Sequence, residues 1–170
     1  MSPVDFTLRD AREPDLPAIV AIYNATIPSR MVTADLEPVT VEARRPWFES
    51  HQAPTRPLWV LTNKAETVCA WLSFDTFYAR AAYDGAAMIA IYVAATHRRH
   101  GLGRHLLLEA VARGPAFGLH TLLGYIFGHN EPSLRLFESH GFTRWGQLPR
   151  VALLDGVPRD LVILGRRIAA

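Results

Sequence analysis

The chain of 170 residues carries a formal net charge of +2, is 49% hydrophobic and 20% charged, and contains one cysteine. These values fit one folded domain with a full core and exclude a disordered chain, while the slight basic excess does not by itself mark a nucleic-acid binder. No apolar run approaches the ~18 residues of a membrane-spanning helix, and Cys69 alone forms neither an intramolecular disulfide nor a cysteine-based zinc site.

Met1-Ser2-Pro3-Val4-Asp5 lacks the basic and apolar regions of a secretory signal, so a cytoplasmic protein is expected. Residues 6–10 alternate and predict a strand. Residues 14–25 predict a helix with Leu16, Ile19, Val20 and Tyr23 on one face and prolines only in its first turns. Residues 26–39 are rich in turn formers. Thr40 suits the N-cap of a helix through residue 51, inside which Pro46 should kink the axis. Residues 58–62 and 67–74 are β-rich and, joined by Asn63-Lys64-Ala65-Glu66, predict an antiparallel hairpin. A strand over 88–93, a helix over 102–117, a strand over 119–127 and a short helix over 132–140, stopped by Gly141, follow. Strands over 143–148 and 159–164 finish the chain around an Asp155-Gly156 turn. Antiparallel strands followed by a strand–helix–strand crossover predict an α+β (mixed α/β) fold, with a mixed sheet and helices on both faces. Ligands bind such sheets where neighbouring strands part, here between 88–93 and 119–127.

One junction carries chemistry. The run Ile91-Tyr92-Val93 ends, and Arg98-Arg99-His100-Gly101-Leu102-Gly103-Arg104 leads into the apolar helical stretch of Leu106, Leu107, Leu108, Ala110 and Val111. The first amides of a helix have no partner within it and its dipole is positive there, so a glycine turn at that point suits a phosphate or diphosphate. The turn is not a P-loop, since no Gly-x-x-x-x-Gly-Lys-Ser/Thr occurs. Nor is it the dinucleotide fingerprint, because Leu106 stands where a third glycine is required. Read alone, it fits a diphosphate cradle and also a plain turn that only starts a helix, with Arg98 and Arg99 solvated.

The spacing Arg98-x-x-Gly101-x-Gly103 resembles the Arg/Gln-x-x-Gly-x-Gly/Ala loop of the GNAT superfamily of N-acetyltransferases. Asn130-Glu131-Pro132-Ser133, running on to Gly141-Phe142, resembles the element that ends that family's core, and residues 6–19 resemble its first strand and helix. Ala21-Ile22-Tyr23-Asn24, Glu37-Pro38-Val39, Arg45-x-Trp47-Phe48, Arg80-Ala81-Ala82-Tyr83 and Ile91-Tyr92-Val93 are similar to the phosphinothricin acetyltransferases and related amino-acid acetyltransferases. The likeness runs from about residue 6 to 168, so residues 1–170 are expected to form one N-acetyltransferase domain on a twisted, mostly antiparallel sheet of about six or seven strands.

The resemblance implies acetyl-CoA as co-substrate and no metal. It places the diphosphate on Arg98, Arg99, His100, Gly101, Leu102, Gly103 and Arg104, with Asn130 and Ser133 nearby. The pantetheine arm would pair like an added strand with the backbone of Ile91, Tyr92 and Val93. It implies direct transfer to a small amine, an acceptor carboxylate held by basic side chains, and a homodimer. Arg80 keeps one such basic position, with Arg30 a second candidate and Tyr78 and Tyr83 beside it; Tyr78 stands where the family often has a base. Both acid/base registers are apolar: the family glutamate falls on Met88, and the group that protonates the thiolate falls on Phe137.

Acetyl transfer needs a neutral amine, a donor to the carbonyl oxygen, an acid for the departing thiolate, and two substrates held together. Tyr92, Tyr125 and His129 are the candidate catalytic groups, with Asp84 and Glu37 as further substitutes for the base. Tyr125 suits the acid role, since a phenol ordinarily titrates near ~10; His129 also reads as a plain loop histidine. Cys69 reads as core rather than nucleophile. His51, His105, His120 and His140 have no metal-ligand spacing. The leading function is an acetyl-CoA-dependent N-acetyltransferase acting on an amino acid or phosphinothricin-like analogue, with neither nucleic acid nor membrane as partner. The alternatives are a catalytically weak acyl-CoA-binding protein and a nucleic-acid binder using Arg98, Arg99 and Arg104; the latter lacks an aromatic stacking run.

Overall fold

Strands and helices alternate along the chain in a way that closes two separate cores around one sheet. The strands are β1 (Thr7–Asp10), β2 (Leu58–Thr62), β3 (Val68–Thr76), β4 (Ala86–Val93), β5 (Thr121–Phe127), β6 (Thr143–Leu154) and β7 (Val157–Arg167). Their order across the sheet is β1-β2-β3-β4-β5-β7-β6. The helices are α1 (Leu16–Asn24), α2 (Val41–Ser50), α3 (Leu102–Arg113) and α4 (Glu131–Glu138). The computed structural model describes residues 6–51 and 54–169. The stretch Met1 to Asp5, read above for a targeting signal, lies outside the described residues.

The period of two in the strands decides which core each side chain joins. On β3, Leu72 and Phe74 enter the core under α3 and α4, with Leu106, Leu107, Leu134 and Phe137. Trp71, next to Leu72 on the opposite face of the strand, enters the core under α1 and α2, with Leu16, Ile19, Val20 and Phe48. All five residues of β2 are buried, as expected of a strand covered on both faces, where alternation gives way to a continuous apolar run. The predicted mixed, mostly antiparallel sheet with helices on both faces is the one observed.

Several boundaries differ from the sequence reading for local reasons. A 3-10 turn at Glu13–Asp15 precedes α1. Asp15 accepts from both Arg9 Nη atoms at 2.7 and 2.9 Å and from the Arg12 amide at 2.7 Å. Thr40 caps α2 by accepting from the Ala43 amide at 3.1 Å, and the helix runs on through Pro46 to Ser50. The helix over 102–117 is α3 followed by a 3-10 turn, Gly114–Phe117, closed by Gly118 at φ 75°. The final hairpin is far longer than predicted. A register shift between Leu148 and Ala152, with Arg150 at φ 54°, keeps β6 in the sheet past the point where its alternation fails.

The crossover through α3 joins β4 and β5 as parallel neighbours, paired only at Ala86–Thr121, Ala87–Leu122 and Met88–Leu123. Beyond that point β4 stays with β3 through Val93, while β5 follows β7 through Phe127. The strands therefore part at their carboxyl ends.

Burial alone would raise the Asp15 pKa, but the Arg9 guanidinium and the Arg12 amide more than offset it and hold the carboxyl below its ordinary value. A folded-state pKa lower than the unfolded one contributes stability above the unfolded value of ~3.9, and that contribution is lost as pH falls through the folded value. Asp15→Asn should therefore lower the melting temperature at pH 7. The deficit should shrink below about pH 4, as followed by circular dichroism.

Candidate functional site

Where β4 and β5 separate, a cleft of about 590 Å³ opens, lined by Ile91, Tyr92 and Val93 on one wall and Asn130, Ser133 and Leu136 on the other. Arg98, Arg99, Gly101, Leu102, Gly103 and Arg104 close one end. The opposite end narrows between Ile89, Ala90, Tyr125, Ile126 and Phe137. Thr26, Ser29, Met31 and Val32 overhang it. His100 is exposed beside the turn and does not line the cleft.

The turn is built for anions. Arg99 and Gly101 take φ of 65° and 78°, the left-handed region that glycine enters without strain. Arg98 is the last residue before α3 whose amide bonds into the fold, and the next main-chain donor is His105, to Gly101 O at 2.9 Å. Among the described residues the amides of 99–104 have no acceptor. Together with three guanidinium groups they form a concentrated donor surface. On the other wall Asn130 caps α4, accepting from the Ser133 amide at 3.3 Å and donating to Met31 O at 2.9 Å.

The narrow end is apolar. Phe137 is buried, packs edge-on against Phe142 at 4.9 Å, and lies so close to β5 that a Cβ on Gly124 would stand 2.6 Å from its ring. Met88 is half-buried at the last ladder pair. Tyr125 is 40% exposed and lines the cleft.

The other sequence candidates are distributed differently. The Tyr92 ring stacks on Trp71 at 4.4 Å under α1, with Thr33 at its hydroxyl. Burial, with Tyr23 next in effect, pushes its phenol well above the ordinary range, so it is a donor and no base. The His129 ring stacks on Phe127, donates from Nε2 to Arg30 O at 2.8 Å, and lines a separate groove with Gln147, Arg159 and Asp160. It does not line the cleft, because the turn after β5 carries it towards β7. Arg30 donates to both Asp155 carboxylate oxygens, at 2.7 and 3.1 Å, and to Leu36 O at 2.9 Å. That guanidinium is engaged by Asp155 and Leu36 O and does not line the cleft. Arg80 lies 5.6 Å over the Tyr78 ring, in an exposed aromatic corner with Phe77 and Tyr83. Glu37 and Asp84 are exposed, and neither lines the cleft.

Sequence reasoning missed one polar cluster. Asp75 of β3 meets Ser73, Trp47 and His51 beneath α2. Only the period-two spacing of Ser73 and Asp75 hints at it in the sequence.

The sequence model of the acetyltransferase (GNAT) family matches residues 18–142. YwnH of Bacillus subtilis, which bears a provisional phosphinothricin acetyltransferase name, is 52% identical over 163 residues, spanning 96% of this chain and 99% of its own. The L-methionine sulfoximine/L-methionine sulfone acetyltransferase of Pseudomonas aeruginosa is 30% identical over 158 residues, 93% of this chain and 92% of that one. The crystal structure of a GNAT superfamily phosphinothricin acetyltransferase from Sinorhizobium meliloti in complex with AcCoA superimposes with a TM-score of 0.91 at 25% identity, over 97% of this chain and 89% of that one.

The atoms nearest to a Cβ on Gly103 would be those of the Leu136, Val93 and Ile91 side chains, at 3.5 to 3.9 Å. The fold tolerates it, whereas a larger side chain enters the cleft. Gly103→Leu should weaken acetyl-CoA binding at least about tenfold, or ~1.4 kcal/mol, with the melting temperature nearly unchanged. Titration calorimetry checks the first expectation and thermal denaturation the second.

Proposed function

The chain belongs to the acetyltransferase (GNAT) family and is an acetyl-CoA-dependent N-acetyltransferase, and from that premise we propose that its acceptor is the amine of a small α-amino acid or a phosphinothricin-like analogue. One observation carries the co-substrate side of this reading: the strands part beside a glycine turn whose amides from 99 to 104 are unbonded among the described residues. On this reading those amides, with Arg98, Arg99 and Arg104, receive the diphosphate, and His100 adds charge at the rim. The backbone of Ile91, Tyr92 and Val93 takes the pantetheine arm as β5 would have been taken had it continued in register. Asn130 and Ser133 border it from α4. The one sheet with a core on each face supports treating residues 1–170 as a single N-acetyltransferase domain.

Transfer is direct on this reading. Cys69 is wholly buried and burial pushes its thiol up, which leaves no accessible thiolate for an acyl-enzyme. Tyr125, at the narrow end, is the group suited to protonate the departing thiolate. Arg80, with Tyr78 and Tyr83, is the reading for the acceptor carboxylate, since a guanidinium binds it with two parallel hydrogen bonds. The relatives named for L-methionine sulfone and phosphinothricin favour an acceptor of this class.

The apolar side chains of Met88 and Phe137 favour a second reading, an acyl-CoA-binding protein with weak turnover. Thiol release from acetyl-CoA with a panel of amino acids, including L-methionine sulfone and phosphinothricin, separates the two. Binding by calorimetry with no release for any amine would replace the enzyme reading by the second. Arg80→Ala should raise the acceptor KM about tenfold and leave the acetyl-CoA KM alone; an unchanged acceptor KM removes the clamp.

We infer further that the protein works in the cytoplasm as a homodimer. No helix among the described residues is long and apolar enough to cross a membrane, and the lone buried thiol suits a reducing compartment. Trp145, Leu148, Val151, Leu153 and Val157 expose apolar side chains along β6 and β7, a surface that soluble monomers rarely leave uncovered. Light scattering should give the mass of two chains, and Val151→Asp with Leu153→Asp should give one.

A further inference from the structure

The polar cluster beneath α2 has no role in the reading so far, and its position is informative. Asp75 stands directly across from Met88 in the β3–β4 ladder, level with the point where β5 departs. Ser73 and Trp71 share its face of β3, paired with Ala90 and Tyr92 of β4. No Asp or Glu lines the cleft itself, among the described residues. Asp75 is the carboxylate that the ladder brings up beside its narrow end, and its side chain keeps 28% exposure.

The carboxylate is held from three sides. Ser73 Oγ donates to Oδ2 at 2.6 Å, Trp47 Nε1 donates to Oδ1 at 3.0 Å, and His51 Nε2 lies 3.2 Å from Oδ1. His51 is 6% exposed. Its Nδ1 lies 2.8 Å from Trp47 O, which can only accept, so the neutral ring carries its proton on Nδ1. Nε2 is then a buried lone pair facing a carboxylate and has no hydrogen-bond partner. Two acceptors face each other, and one added proton would satisfy both.

We propose that Asp75 and His51 are the proton sink for the acceptor amine: Asp75 receives the ammonium group, directly or through one water, and passes its proton to His51 Nε2. This deepens the acetyltransferase reading and rests on it. An ammonium N–H bond breaks and an Nε2–H bond forms, leaving an imidazolium with one N–H on Trp47 O and the other on Asp75. The neutral amine then bonds to the thioester carbonyl carbon, the C–S bond breaks with its electron pair on sulfur, and a second amine proton ends on that sulfur. The products are the N-acetyl compound and CoA thiol.

Burial opposes ionisation of Asp75, but His51, when its ring carries a proton on Nε2, and the standing donors Ser73 and Trp47 more than offset it and hold the carboxyl below its ordinary value. Of the charged and titratable groups around the pair, Tyr92 of β4 feels the Asp75 charge, and beyond it stand Arg44 of α2, over the Tyr23 and Trp47 rings at 4.4 and 4.9 Å, and Tyr23 of α1, which donates to Asp35 at 2.6 Å. Of these Arg44 is cationic and pairs with no carboxylate among the described residues, which suits an acceptor that also bears a negative group.

The test uses Asp75→Asn and His51→Gln with two acceptors: the best amino acid of the panel above, and hydroxylamine, which is neutral at the assay pH. Each variant should lower kcat with the amino acid about 10²-fold at neutral pH. The loss should shrink as pH rises and free amine becomes abundant, and the double variant should be no worse than either single one. With hydroxylamine the loss should stay within about threefold, and the acetyl-CoA KM should hold in every case. Wild-type kcat in both variants, or equal losses with the two acceptors, overturns the proposal. A wild-type protein that acetylates no amine of the panel overturns the parent reading instead.

Discussion

The functional architecture depends on a ladder that stops. β4 and β5 pair over three residues and then separate. A parallel pair that ended there without consequence would leave main-chain donors and acceptors exposed along Ile89 to Val93 and along Gly124 to Phe127, and exposed strand edges invite pairing. The fold keeps that unsatisfied edge, roofs it with residues 26–32, and sets the glycine turn at its far end. An extended ligand carrying amides along its length and phosphates at one end meets both sets of groups at once. On the proposed reading the edge answers the amides and the turn answers the charge.

The price of an apolar inner end is less obvious. Phe137 and Gly124 occupy the same volume, one by projecting into it and the other by vacating it. That pairing closes the narrow end of the cleft with apolar surface, and an electrostatic contact made against such a wall is stronger than one in open water. It also removes side-chain acids and bases from the wall. On the proposed reading, proton handling falls to groups at the margin, a phenol on β5 and a carboxylate one strand away on β3, and the positioning of two substrates against each other, which supplies much of the rate in such a site, leaves them only modest proton transfer to do.

What could be read from the sequence was what is local. A β-branched run, two glycines and an apolar helical stretch are contiguous, and the turn between them follows from backbone conformation alone. The parting of the strands was legible for the same reason, since topology dictates it once the crossover is recognised. The late hairpin was cut short because Pro149 and Arg150 break the alternation, while the structure absorbs them in a bulge. Side-chain commitments were not legible. Nothing near Arg30 announces that Asp155, across the molecule, will take its guanidinium, and His129 looks like a cleft residue until β7 is in place beside it. Asp75 and His51 belong to different elements, and only the packing of α2 on β3 makes them neighbours.

The same long-range ties explain how the roof over the cleft is held. The Arg30–Asp155 pair is partly exposed, at 23% and 58%, and ion pairs of that kind contribute little to stability. It therefore guides the loop more than it fastens it. The firmer restraint is on the main chain. His129 donates to Arg30 O and Asn130 to Met31 O, both from the segment that joins β5 to α4. Asn130 is buried and also caps α4, so losing its side chain would free a carbonyl of the roof and an amide of the helix together. One residue thus couples the wall of the cleft to its cover.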